Sequence, residues 1–259
     1  MAESNTSLNA PDVINMALKP LALSAAGRTG ADIERLIREA RQKARRERRK
    51  LTYNDIHAAL TVDQAALSPE LIWRFAVHES GHALTRTVLG SGSVLTMSIG
   101  NGFGGFVESE SSAIVIENGE WLQKQIACKL AGRAAEKLIF GDTIIGSGGV
   151  EQSDLARATK LALDAETAFG LGQVHPLLYR SADVHSSILS LDRELARNVN
   201  SRLEAAEALA MGLLSHNRDA LLALATRLAD VKVLDGAEVR DLLDRHLTRS
   251  TSGSSSAAS

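Results

Sequence analysis

The segment from Glu120 to Phe140 sets the strongest limit on the fold. Leu122, Ile126, Leu130, Ala134 and Leu138 recur at every fourth position, with Ala127, Ala131, Ala135 and Ile139 beside them. This repeat lines one face of an α-helix but scatters across both faces of a strand, so it predicts a long amphipathic helix. Its apolar face is rich in alanine. With aromatics at only 3% of the chain and hydrophobic residues at 44%, helices packed through small side chains are the expected core.

Helical spacing recurs elsewhere. Ile33, Leu36, Ile37 and Ala40 mark a helix that turns strongly basic from Arg41 to Lys50, and "LTYNDIHAAL" follows with Thr52 as a candidate N-cap. Pro69 suits the first turn of a helix through His78 and His82. "DLARATKLALDAETAFG" reads as a further helix, and residues 191–246 are almost wholly helical apart from a break at "VKVLDG". Only "SVLTMSI" and "GGFVESE", joined by the glycine-rich turn "GNGFG", read as extended, with "SSAIVI" as a further strand. The predicted fold class is mostly α, with a small β-sheet or hairpin after the helix that carries the histidines. Residues 1–66 form a polar N-terminus and a short helical segment, 67–248 the principal domain, and 249–259 a low-complexity tail expected to be disordered.

A formal charge of −2 argues against a nucleic-acid binder. No apolar run approaches the roughly 18 residues of a membrane span, and "MAESNTSLNAPDV" lacks the features of a signal peptide. The single cysteine, Cys128, excludes an intrachain disulfide and reads as a small core residue. A cytoplasmic protein is expected.

The chemistry concentrates in "HESGH", His78 to His82. Residues four apart share a helix face, so both imidazoles can reach one metal ion at the 2.0–2.1 Å that zinc prefers. Glu79 is turned by about 100°, from where its carboxylate can activate a water without binding the metal. Gly81 would leave the ligand face uncrowded. A helical His pair satisfied by ordinary hydrogen bonds is the plain alternative. A hydrolytic site needs a third ligand, and Glu136, Asp142, Glu151, Asp154 and His175 are candidates that spacing does not separate. Gly100, Gly102 and Gly105 match G-x-G-x-x-G, but the residues that follow look extended, which excludes a dinucleotide loop.

"HESGHAL", "LAGRAAEKLIFG", the Gly/Ser-rich loop, "SDLARAT" and "LDGAEVRDLL" together resemble the protease domain of the FtsH family, the AAA+ zinc metalloproteases. The resemblance covers roughly residues 69–247, in the same order and at similar spacing. It implies His78, His82 and Asp154 as zinc ligands, Glu79 as the catalytic base and Glu136 as a residue orienting a ligand. It also implies that Gly104, Gly105, Phe106 and Val107 lie on an edge strand that pairs with an extended substrate. The plain reading of Asp154 is a helix cap, and that of the strand an ordinary hairpin.

"TGADIERLIREA" and "LTYNDIHAAL" resemble the end of an AAA+ lid, yet the chain contains no Gly-Lys dipeptide and hence no Walker A loop. No membrane anchor is expected in this chain either. The basic run reads as a solvated helix face rather than a nucleic-acid contact. The expected function is a zinc metalloendopeptidase acting on unfolded polypeptides. By resemblance it is a homo-oligomeric ring, a hexamer, served by a separate ATPase or unfoldase. A catalytically silent ring-forming scaffold or adaptor is the alternative.

Overall fold

The structure is a computed structural model that describes residues 18, 21–22, 25, 28–61, 67–99, 105–110, 116–145, 149–180 and 188–252. The expectations for the polar N-terminus, the "GNGFG" turn, most of "SSAIVI" and the last residues of the tail lie outside these.

Helices α1 (Gly30–Arg46) and α2 (Tyr53–Thr61) pack on each other. Thr29 opens α1 with a capping box to Asp32, satisfying amide donors that the first turn leaves free. Thr52 instead gives its hydroxyl and amide protons to Asp55. Leu21, Leu36 and Leu60 form a small core, separate from the main one.

Helix α3 (Pro69–Val88) is capped by the Ser68 hydroxyl, with Pro69 in its first turn, where no amide proton is needed. Strand β1 (Ser93–Ile99) pairs antiparallel with β2 (Gly105–Glu110), in a register running from Ser93 opposite Glu110 to Ile99 opposite Gly105. The amphipathic repeat forms α4 (Gly119–Phe140), capped by Asn118. Then come α5 (Asp154–Thr167), the single turn α6 (Ile188–Leu191), α7 (Arg193–His216), α8 (Arg218–Val231), strand β3 (Val233–Asp235) and α9 (Gly236–Ser252).

The main core lies where α3 and α4 pack against each other, with α8 on α3 and α7 on α4. Ala76, Ala83, Ala127, Ala131, Ala134 and Ala135 are fully buried between them. Gly81 belongs to this contact: a Cβ there would stand 2.6 Å from the Ala131 carbonyl oxygen and from the Ala135 Cβ. Its role is therefore close helix packing, not clearance of the ligand face.

Two boundaries differ from expectation. The break at "VKVLDG" contains β3, which pairs with β1 through Met97 opposite Leu234 and gives the order β2-β1-β3. Three residues are too few to show alternation, so this strand is set by its neighbour. Residues 249–252, expected in the tail, continue α9, since no glycine or proline intervenes before Gly253.

Candidate metal centre

His78 and His82 stand one turn apart on α3, and their Nε2 atoms are 3.1 Å from each other. Asp154, the first residue of α5, brings Oδ2 to 3.0 Å from His82 Nε2 and 3.4 Å from His78 Nε2. Among the described residues, these three form the one group of histidine, cysteine and acidic side chains close enough to hold a metal ion. Ser153, not Asp154, caps α5 by accepting from the Ala156 amide, so the Asp154 carboxylate is free to face the histidines.

The other ring nitrogens define the donor set. His82 Nδ1 lies 2.8 Å from the Cys128 carbonyl oxygen, which only accepts, so Nδ1 carries the proton. His78 Nδ1 lies 2.6 Å from Oε1 of Glu136, which is fully buried. Both Nε2 atoms then present lone pairs to each other and to a carboxylate, and three Lewis bases in contact require a cation. Zinc bonds of 2.0–2.1 Å put tetrahedral corners about 3.3 Å apart, so the observed spacings fit that ion.

Burial works against charge on His78, but its hydrogen bonds to Asp154 and Glu136 and the nearby carboxylates outweigh it, and the imidazole is pushed up to about 10. Burial also opposes charge on Asp154, yet the two imidazoles hold it well below the usual carboxylate range. Burial pushes Glu79 up, tempered by His78 and His82. Glu79 lies under β2, where a Cβ on Gly105 would come within 2.6 Å of its Cγ.

Glu136 is anchored from three sides. Besides His78, it accepts from the Ile144 amide at 2.9 Å and faces Arg74 at 3.6 Å. Arg74 also pairs with Asp142 at 2.6 Å and lies over the Phe140 ring at 4.5 Å. Glu136 therefore sits on the nitrogen of His78 turned away from the donor set. Asp142 is engaged by Arg74, while Glu151 and His175 are exposed and stand outside the three-residue group.

The donors open into a cleft of about 580 Å³ whose walls include Phe75, Phe106, Val107, Ile144 and Val150. Gly105, Phe106 and Val107 belong to β2, which among the described residues pairs only with β1. Gly104 lies outside the described residues. The sequence reading missed Gly132, where a Cβ would lie 2.4 Å from His78 Nε2, and it missed the cations Arg86, Lys129 and Arg157 along the cleft. Gly132 lies inside the quoted "LAGRAAEK", but its role becomes visible only once α3 and α4 are packed.

The model of peptidase family M41 matches residues 66–242. Similar proteins include "ATP-dependent zinc metalloprotease FtsH 2" of Symbiobacterium thermophilum, 32% identical over 244 residues, covering 87% of this chain and 41% of that protein. "ATP-dependent zinc metalloprotease FtsH 4" of Synechocystis is 31% identical over 252 residues, with 87% and 40% covered. A chloroplastic relative of Arabidopsis thaliana, "ATP-dependent zinc metalloprotease FTSH 2", is 27% identical over 256 residues, with 88% and 36% covered. The chain thus spans about two fifths of the length of the relatives it matches. Among the described residues, no helix is long and apolar enough to cross a membrane.

Proposed function

The chain belongs to peptidase family M41, and from that premise we propose that it is a zinc metalloendopeptidase cleaving unfolded or loosely folded polypeptides. The observation that carries this is the convergence of His78 Nε2, His82 Nε2 and Asp154 Oδ2 to within 3.0–3.4 Å beside the buried Glu79. These three residues would hold the zinc ion, and Glu136 and the Cys128 carbonyl would fix the rings that bind it. When bound, zinc polarises the scissile carbonyl and makes water a stronger acid. Glu79 takes a proton from the attacking water and passes it to the leaving amine, a task suited to a carboxylate whose proton affinity burial has raised.

The edge of β2 away from β1, unpaired among the described residues, receives an extended peptide through its backbone groups, which selects for chains without competing secondary structure. Gly105 keeps that strand close to Glu79. In this reading residues 67–248 are the peptidase unit and 1–66 a lid-like segment, supported by the separate leucine core of the latter. The exposed Phe169, Leu177, Leu178, Tyr179 and Leu191 support self-association, for which we propose a hexameric ring. Unfolding of structured substrates would fall to a separate ATPase or unfoldase, since this sequence contains no Walker A loop. No observation favours a silent scaffold.

The test is hydrolysis of a short unstructured fluorogenic peptide by the zinc-loaded protein without nucleotide, alongside Glu79→Gln. Cleavage should fall about 10²–10⁴-fold in the variant, with zinc still bound. A folded, zinc-loaded parent that cleaves no unstructured peptide would overturn the reading.

A further inference from the structure

Positive charge lies one helical turn beyond the donor set. Arg86 follows His82 by four residues on α3, and Arg157 follows Asp154 by three on α5. Lys129 follows Cys128, whose carbonyl holds His82, on α4. Side chains three or four apart on a helix are neighbours at about 5–6 Å, and all three cations line the same cleft as the donors.

No carboxylate of the cleft pairs with them. Glu136 is bound to His78, the Ile144 amide and Arg74, and Asp154 faces the two histidines. Glu79 is buried under β2. Arg86 gives one guanidinium proton to the Ser91 carbonyl at 2.7 Å. Lys129 and Arg157 make no ion pair with any described residue. On the same helix as Lys129, by contrast, Arg133 and Lys137 share Glu207. The half-buried Lys129 ammonium feels Asp154, but that carboxylate already faces the two histidines. Burial together with Arg86 and Arg157 works against the charge on Lys129, so this part of the cleft favours a further anion.

We infer that the cleft recognises a substrate carboxylate within one or two residues of the bond that is cut, bound by Lys129 and Arg157 with Arg86 behind them. This rests on the peptidase reading and adds the substrate class to it. An extended peptide advances about 3.3 Å per residue, so the neighbours of a residue at the metal lie about 3–7 Å along the chain. That range spans the one-turn offset of the cations. The carboxylate comes from an Asp or Glu side chain or from a free C-terminus.

Three peptides of one sequence separate these sources: Asp beside the cleavage site with an amidated end, Asn there with an amidated end, and Asn ending in a free carboxylate there. Cleavage is measured with the zinc-loaded protein, and binding by fluorescence anisotropy on zinc-loaded Glu79→Gln. The expected result is about five- to tenfold stronger binding and higher kcat/KM for a carboxylate peptide over the neutral one, a preference that shrinks in 1 M salt. Lys129→Gln and Arg157→Gln should each reduce the ratio, and the double variant should abolish it. Preference for the Asp peptide assigns a side-chain site, and preference for the free end a C-terminal one. Equal binding and cleavage of all three would overturn the inference and leave the peptidase reading standing. Selective binding without any cleavage by the parent would support the carboxylate site at Lys129 and Arg157 and overturn the peptidase reading.

Discussion

Replacing Gly132 with alanine should weaken metal binding sharply while leaving the fold in place. The added methyl carbon would lie 2.4 Å from His78 Nε2, 2.5 Å from Cε1 and 2.6 Å from Cδ2. Ordinary contact begins near 3.4 Å, so a shift of about 1 Å is required. The α4 backbone is held between α3 and α7, whereas the imidazole is the end of a side chain, so the ring gives way. A metal ligand tolerates about 0.2 Å, so His78 leaves the donor set. Structural zinc is worth about 10–16 kcal/mol over four ligands, or about 2.5–4 kcal/mol for each, and zinc affinity should fall roughly a hundredfold or more. Overpacking costs about 1–3 kcal/mol, but alanine regains close to 1 kcal/mol as the better helix former. The net cost of at most about 2 kcal/mol shifts Tm by no more than about 8 °C. The assay is a chelator-competition zinc titration beside a thermal melt. Gly212→Ala, on α7 with nothing within 4 Å of the new carbon, is the control and should stabilise by about 0.5–1 kcal/mol. A folded Gly132→Ala protein that binds zinc within threefold of the parent would refute the reasoning.

Three further expectations follow from other contacts. Glu136→Gln keeps the shape of the anchor but weakens its hold on His78 Nδ1, so zinc affinity in the same titration should fall about 10–100-fold. Arg202 binds the buried Glu166 carboxylate and the Leu171 carbonyl. Arg202→Met strands that carboxylate, costing about 3–5 kcal/mol and lowering Tm by about 6–20 °C, and adding Glu166→Leu should recover much of the loss. Burial pushes the Cys128 thiol above its ordinary value of 9.0. Because the folded state binds this proton more tightly, its contribution to stability is whole below pH 9 and declines as pH rises beyond it. At pH 8 a thiol reagent should modify Cys128 far more slowly in the native protein than in urea, and equal rates would contradict its burial.

Part of this was legible in the chain. The four-residue repeat of α4 and the pairing of His78 with His82 on one helix face follow from 3.6 residues per turn, a property of the local backbone. The one N-cap named from sequence, Thr52, donates to Asp55 instead, and the caps Ser68, Asn118 and Ser153 were not singled out although each acts within three residues of itself. Strand β3 was not legible, because Val233–Asp235 is extended only where β1 offers it an edge. The third donor was not separable by spacing, since Asp154 stands 72 residues from His82 and competes in sequence with Glu136, Asp142, Glu151 and His175.

The sequence by itself determined the helical class and the placement of His78, Glu79 and His82 within one turn, because neighbours a few residues apart are related by fixed backbone geometry. Only the tertiary structure decided that Asp154 meets the histidines, that Glu136 takes the opposite nitrogen of His78, that Gly132 leaves room for its ring and that Lys129 and Arg157 share one cleft. Those relations join residues tens of positions apart, and they exist only once α3, α4 and α5 have packed together.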